Sequence, residues 1–254
     1  MERLPEKRVI SIISAKGGVG RSVLACQLAL AFEKWGKRVL LFDLDPYVHT
    51  QDLYFGVEDR VLFGVYDLLA GKEPQKVAVN CTKEGGVLLC AGGAMDDLPE
   101  EKTLKDALDR AMAQCDADLA ILDLPVSAAR HACYRGLTDL FLLVCTDEPA
   151  SALGGQYLSE LLQDVPCKLV LNRICLEGEK NLLPCQLIDL TGRALVGVVP
   201  ESPALRSALN GGRAQDLDSE ERLPFENIAA RIEGEERLLF CGMKDEKKKR
   251  RSLF

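Results

Sequence analysis

Seven short apolar runs, rich in β-branched residues, constrain this chain more than any other feature: 8–14 (RVISIIS), 38–43 (RVLLFD), 87–91 (VLLCA), 119–123 (LAILD), 140–145 (LFLLVC), 168–172 (KLVLN) and 195–199 (LVGVV). None alternates in polarity, so each must be covered on both faces. Helix-period segments separate them, at 22–35 closed by Gly36, at 101–114, at 150–162 and at 203–209. Strand, helix, strand in repetition predicts an α/β fold: a parallel, mostly doubly wound sheet with helices on both faces. Residues 176–190 read as a connection with a short helix, and a last helix is expected at 224–232, beginning at Pro224. With 254 residues and 47% apolar content the chain can bury one large core. The boundary that composition suggests divides a domain at 1–234 from a basic, partly apolar tail at 235–254.

Composition excludes several classes. Ten cysteines are present, but none is paired as CxxC, several lie inside apolar runs, and the chain opens on MERLPEKRV rather than an apolar leader. They read as reduced thiols packed as small hydrophobes in a cytoplasmic protein, and no metal or cluster set is expected of them. His49 and His131 stand alone. No stretch approaches the roughly 20 apolar residues of a membrane span. The formal charge of −7 disfavours wholesale attraction to nucleic acid, although Lys247 to Arg251 form an unbroken run of five cations.

The segment 14–22, SAKGGVGRS, leaves the first run and opens the first helix. In that context a glycine-rich turn is a phosphate site: Gly17, Gly18 and Gly20 let backbone N–H groups approach an anion, and the helix start adds its positive dipole end. Val19 and Val23 belong to the same turn, and the Ser22 hydroxyl is placed to ligate Mg²⁺. Two positions depart from G-x-x-x-x-G-K-[ST]: Ala15 replaces the first glycine and Arg21 the lysine. A guanidinium keeps the charge but is wider than an ammonium and binds through a planar fork, so ATP binding with reduced hydrolysis is expected.

Asp43 and Asp45 lie at and just past the end of the second run, and Asp123 closes the fourth, where ligands bind in parallel sheets. Acids so placed can hold Mg²⁺ with its water and orient an attacking water. Asn172 closes a further run in VLNRI; its amide suits an adenine edge, and equally the capping of a turn.

KGGVGRS resembles the deviant phosphate loop, KGGxGK[ST], of the MinD/ParA family of P-loop ATPases. By that resemblance Lys16 is the signature lysine that reaches a partner's phosphates across an ATP-sandwiched homodimer. It also implies that Asp45 orients the attacking water, Asp43 supports the metal shell and Asp123 contacts Mg²⁺ through water. Asp43-x-Asp45 with Asp52, and Asp123-x-Pro125, resemble the family's two switch segments. DLYFG after Asp43 follows the MinD branch, with Thr50-Gln51-Asp52 where that branch has Asn-Leu-Asp and Ser127 where it has glycine. GVVPES resembles the element that folds over the base, which carries Pro200 and Glu201 into the pocket. The resemblance spans about 8–232 and implies ATP and Mg²⁺ as ligands.

MinD proteins end in a basic amphipathic helix that binds anionic lipid, and 237–254 combines cations with Leu238, Leu239, Phe240, Met243, Leu253 and Phe254, interrupted by Gly242. A switch ATPase that recruits partners at the inner face of the cell membrane, for division-site placement or related positioning, is the leading expectation. A DNA-partitioning ATPase and a catalytically weak nucleotide-binding scaffold are the alternatives.

Overall fold

The computed structural model describes residues 8–46, 48–93, 99–126, 128, 132–175 and 182–239. The first apolar run forms β1 (Arg8–Ile13), buried along its whole length. Ile10 and Ile12 belong to a core with Leu24, Leu28 and Phe32, whereas Val9 and Ile13 belong to a second core with Leu108 and Phe141. An unbroken apolar run is what a strand between two such cores requires.

Chain order then runs α1 (Arg21–Lys34), β2 (Val39–Asp43), α2 (Gln51–Phe55), α3 (Val65–Leu69), α4 (Pro74–Val77), β3 (Val79–Asn80), β4 (Val87–Cys90), α5 (Glu101–Gln114), β5 (Leu119–Asp123), α6 (Ala132–Arg135), β6 (Leu140–Cys145), α7 (Pro149–Leu161), β7 (Cys167–Ile174), α8 (Pro184–Thr191), β8 (Leu195–Pro200), α9 (Pro203–Asn210) and α10 (Ser219–Ile232). The strands form one sheet ordered β3-β4-β2-β5-β1-β6-β7-β8. All its ladders are parallel except β3 against β4. The expected sheet with helices on both faces is the observed one.

Three local readings change. The two-residue β3 is too short to leave a pattern in the sequence and pairs only as the return of a hairpin onto β4. The last helix starts at Ser219 rather than Pro224, because the Asp218 carboxylate accepts the N–H groups of Glu220 and Glu221 and Pro224 is carried inside the helix. A proline there removes one helical hydrogen bond, which the burial of Phe225, Ile228 and Ile232 offsets. β7 continues past Asn172 to Ile174. The short helix expected within 176–190 is α8; residues 176–181 lie outside the described residues.

Helix α1 carries the site. Leu24, Ala25, Cys26, Leu28, Ala29 and Phe32 are fully buried, so it is a core helix with little polar face. Burying Leu24, Leu28 and Phe32 stabilises the fold by about 1.5–3 kcal/mol each. The turn that precedes α1 is thereby fixed to the sheet. Beyond α10 the chain returns to β8, where the Val198 N–H donates to the Leu239 carbonyl at 3.0 Å. The cation run and the apolar residues from Phe240 onward lie outside the described residues. Among the described residues no helix is long and apolar enough to cross a membrane.

Six of the nine described cysteines are buried, and burial pushes the Cys81 and Cys145 thiols up to about 12. These two are packing residues rather than reactive ones.

Candidate functional site

The turn between β1 and α1 is built on two glycines with left-handed backbones, Gly18 at φ 76° and Gly20 at φ 92°. Gly20 is the N-cap of α1 and brings no side chain to it, so the first-turn N–H groups are not capped by it. A Cβ on Gly20 would lie 2.1 Å from Asn172 Nδ2. That closeness has a purpose: Asn172 Nδ2 donates to the Val19 carbonyl at 2.8 Å, and the next residue's Arg173 Nη1 donates to the Gly18 carbonyl at 2.7 Å. In a trans peptide the N–H points opposite to the C=O, so holding these carbonyls fixes the N–H groups of Val19 and Gly20 on the other side of the loop. Arg173 does this from a positive φ of 57°, a conformation that costs a non-glycine residue about 1–2 kcal/mol.

Arg21 is folded into the loop rather than extended from it. It is 9% exposed; its Nη1 donates to Ser14 Oγ at 2.7 Å, its Nη2 lies 3.9 Å from Asp45 Oδ2, and its buried Nε has no protein partner. Ser14 in turn donates to the Lys16 carbonyl at 2.8 Å. The Lys16 ammonium is exposed and ion-paired with Glu148, the residue that caps α7.

Beneath the loop the acids converge. Asp43 and Asp123 are direct partners in the β2–β5 ladder, and Asp123 also pairs with Ile12 of β1. Each is 1% exposed. Asp43 accepts the N–H groups of Asp45 (3.3 Å), Thr50 (2.8 Å) and Gln51 (3.2 Å). Asp123 is bonded by the Ser22 side chain and accepts from Gln51 Nε2 at 2.8 Å. Burial, and secondarily the charge of Asp123, push Asp43 up to about 8; burial likewise raises Asp123, against the hydrogen bonds from Ser22 and Gln51. Two carboxylates side by side in the core lack positive charge. Asp45 sits higher, lining the cavity, with its Oδ1 accepting from the Val48 N–H at 3.1 Å.

This charge deficit, the Ser22 hydroxyl and hard oxygen donors fit Mg²⁺. Among the described residues no three acids, histidines or cysteines close around a metal by themselves. Mg²⁺ characteristically takes one or two carboxylates together with phosphate and water, so the donor set is suited to a cation that arrives with phosphate.

A cavity of about 650 Å³ opens over the turn. Of the residues predicted from sequence, Gly17, Gly18, Gly20, Arg21, Ser22, Val23, Asp45, Asn172, Pro200 and Glu201 line it. Val19 is buried in the core, Asp43 and Asp123 lie under the floor, and Lys16 stands in solvent with Glu148. The far wall is α9, with Leu205, Arg206 and Leu209. There Glu201 is ion-paired with Arg173 (2.8 Å) and with Arg206. Asp52 is turned from the acid pair toward His49 Nδ1, 3.8 Å away. The sequence reading missed Gln51, Glu148, Arg173 and Arg206. Two of them had a local signal: Gln51 lies in the segment Thr50-Gln51-Asp52 that departs from Asn-Leu-Asp, and Glu148 is an acid immediately before the proline that starts a helix.

Residues 10–214 match the family model of the CobQ/CobB/MinD/ParA nucleotide binding domain. A protein of Emiliania huxleyi described as a putative septum site-determining protein MinD is 27% identical over 243 residues, 90% of this chain and 88% of that one. The septum site-determining protein MinD of Helicobacter pylori is also 27% identical, with 90% and 91% covered. Among solved structures, the MinC:MinD cell division protein complex of Aquifex aeolicus superposes with a TM-score of 0.82 at 25% identity, covering 92% of this chain and 98% of that one. A glycine-rich turn between a strand and a helix, acids at the ends of adjacent parallel strands and near-complete coverage agree: the chain belongs to the CobQ/CobB/MinD/ParA nucleotide-binding domain family.

Proposed function

We propose that the chain is a MinD-like switch that binds Mg²⁺·ATP, dimerises around it, hydrolyses it slowly and, through residues 235–254, recruits partner proteins to an anionic membrane surface. The observation that carries this reading is the in-register pair Asp43 and Asp123 directly beneath a phosphate turn whose peptide orientations are held by Asn172 and Arg173.

The loop N–H groups and the dipole of α1 bind the phosphates. Ser22, Asp43 and Asp123 are the residues that would hold the cation, and a bound cation would supply neutralisation of the charge on the transferred phosphoryl group. Asp45 accepts a proton of the attacking water and aims it. Arg21 slows the step, because its guanidinium is committed to Ser14 and leans on Asp45, the group that must position the water. Lys16 is released for the partner's phosphates at small expense, since an exposed ion pair such as Lys16–Glu148 contributes only about 0–1 kcal/mol.

The tail supplies the address: five cations from Lys247 to Arg251 contribute about 1 kcal/mol each near an anionic surface, enough for binding that depends on two copies being joined. Light scattering with ATP, ADP and no nucleotide, repeated with anionic vesicles, tests the reading. A dimer formed only with ATP, and vesicle binding that follows it, is the expected result. A monomer in every condition contradicts the switch; ATP-dependent retention on DNA that weakens steeply with salt moves the chain to the partitioning branch of its family.

A further inference from the structure

Gln51 is the first residue of α2 and is wholly buried. It touches three parts of the site at once: its backbone N–H donates to Asp43, and its Nε2 donates both to Asp123 Oδ2 at 2.8 Å and to the carbonyl of Ser22 at 3.0 Å. The other atom of the same amide, Oε1, is buried, and among the described residues no donor reaches it. Exchanging the two amide atoms does not relieve this, because the Ser22 carbonyl can only accept and would then face a second acceptor. A buried amide oxygen left without a donor is destabilising, so its retention calls for a ligand.

We infer that Gln51 is a positioning residue for the metal: Nε2 locks the Asp123 carboxylate against the start of α1, and Oε1 accepts a hydrogen bond from a water carried by the hydrated cation that enters with the nucleotide. The inference rests on the reading of this pocket as a Mg²⁺·nucleotide site. The chemistry fits the place. A divalent cation polarises its waters into strong donors, and the amide oxygen lies on the same group that already bonds Asp123 and the backbone of Ser22, two of the residues assigned to that cation. The amide therefore reports the arrival of the cation to both strand-end acids and to α1.

Calorimetric titration of ADP into the full-length chain, once in EDTA and once in excess Mg²⁺, gives the factor by which the cation tightens nucleotide binding. Gln51→Met keeps the volume and removes both polar atoms. It is expected to lower that factor about tenfold, the worth of one hydrogen bond to a polarised water, whatever affinity the variant keeps in EDTA. Gln51→Asn, which keeps the amide but withdraws it by one methylene, carries the same comparison should the Met variant fail to show a cooperative melting transition. Mn²⁺ binding to the ADP complex, followed by electron paramagnetic resonance, should weaken by a similar factor. An unchanged factor in the variants overturns the inference, and so does an equal loss in EDTA and in Mg²⁺, which is what a merely structural residue would give. Absence of ADP binding by the wild-type chain in both buffers contradicts the nucleotide reading itself, a failure distinguishable from the other two.

Discussion

The two ends of the cavity are built on opposite principles. At the phosphate end, a turn fixed by a core helix lies over two acids with 1% exposure, and most of the groups that shape it, Ser14, Arg21, Gln51 and Asn172, are buried and bonded mostly to backbone or to one another, while the exposed Arg173 reaches it from the other end of the cavity. At the base end, the wall is formed by exposed ion pairs, Glu201 with Arg173 and with Arg206, on the rim of α9. Buried polar groups are worth much when complete and destabilise strongly when broken, whereas exposed ion pairs contribute about 0–1 kcal/mol. On the proposed reading the difference teaches where recognition would reside: phosphate and cation would be held rigidly and the base loosely.

Substitutions at the two ends should therefore differ sharply. The largest effect is expected at Asp45, where Asp45→Ala should abolish phosphate release, by about 10²- to 10⁴-fold, with ATP affinity nearly preserved; in the same assay Arg21→Lys should raise turnover. Loss of affinity in parallel with rate would mean that Asp45 is a binding group.

Next comes Gly20→Ala, which forces a Cβ into a φ of 92° and to 2.1 Å from Asn172 Nδ2. Thermal unfolding should show a loss of about 2–4 kcal/mol, and ADP binding should fail. A variant as stable as wild type would show that the loop is not clasped by β7.

The buried acids give a pH signature. Below the ordinary carboxyl value of 3.8, Asp43 is protonated in folded and unfolded chains alike. Between there and about 8 the unfolded chain gives up the proton and the folded chain keeps it, so stability falls as pH rises; above about 8 the penalty is constant. Asp43→Asn flattens the slope, leaving the part that belongs to Asp123, and in EDTA it should be the more stable protein at pH 8 and no more stable at pH 4, as read from denaturant melts. Equal pH profiles would place the charge deficit elsewhere.

The smallest effect belongs to the base end. Arg206→Ala should change ATP affinity by less than about threefold, under 1 kcal/mol, and a larger loss would erase the contrast between the two ends.

How much of this was legible in the sequence follows the same division. The phosphate turn could be read because its chemistry is local: Gly17 to Ser22 supply backbone groups in one short segment between a strand and a helix. Asp43 and Asp123 could be read because each ends an apolar run, although that they stand side by side depends on strand order and register. Gln51, Arg173 and Glu148 act on residues far away in sequence, through contacts that only the folded chain creates. Asn172 is expected at the base by the family resemblance, while its residue type alone suits a base contact and a turn cap equally; in the fold its amide N–H₂ serves the loop, by bonding Val19. Pro224 misled because a proline is a common helix start, and the Asp218 cap, which outranks it here, lies a turn earlier.

The most direct test of a site organised around phosphate and cation is calorimetry of Mg²⁺·ADP, Mg²⁺·GDP and AMP against the full-length chain. ADP and GDP should bind within about tenfold of each other and AMP at least about a hundredfold more weakly, since AMP keeps the base but loses the phosphate that the Gly20 turn and the acids address. AMP binding as tightly as ADP, or no heat with any of the three, would contradict the account.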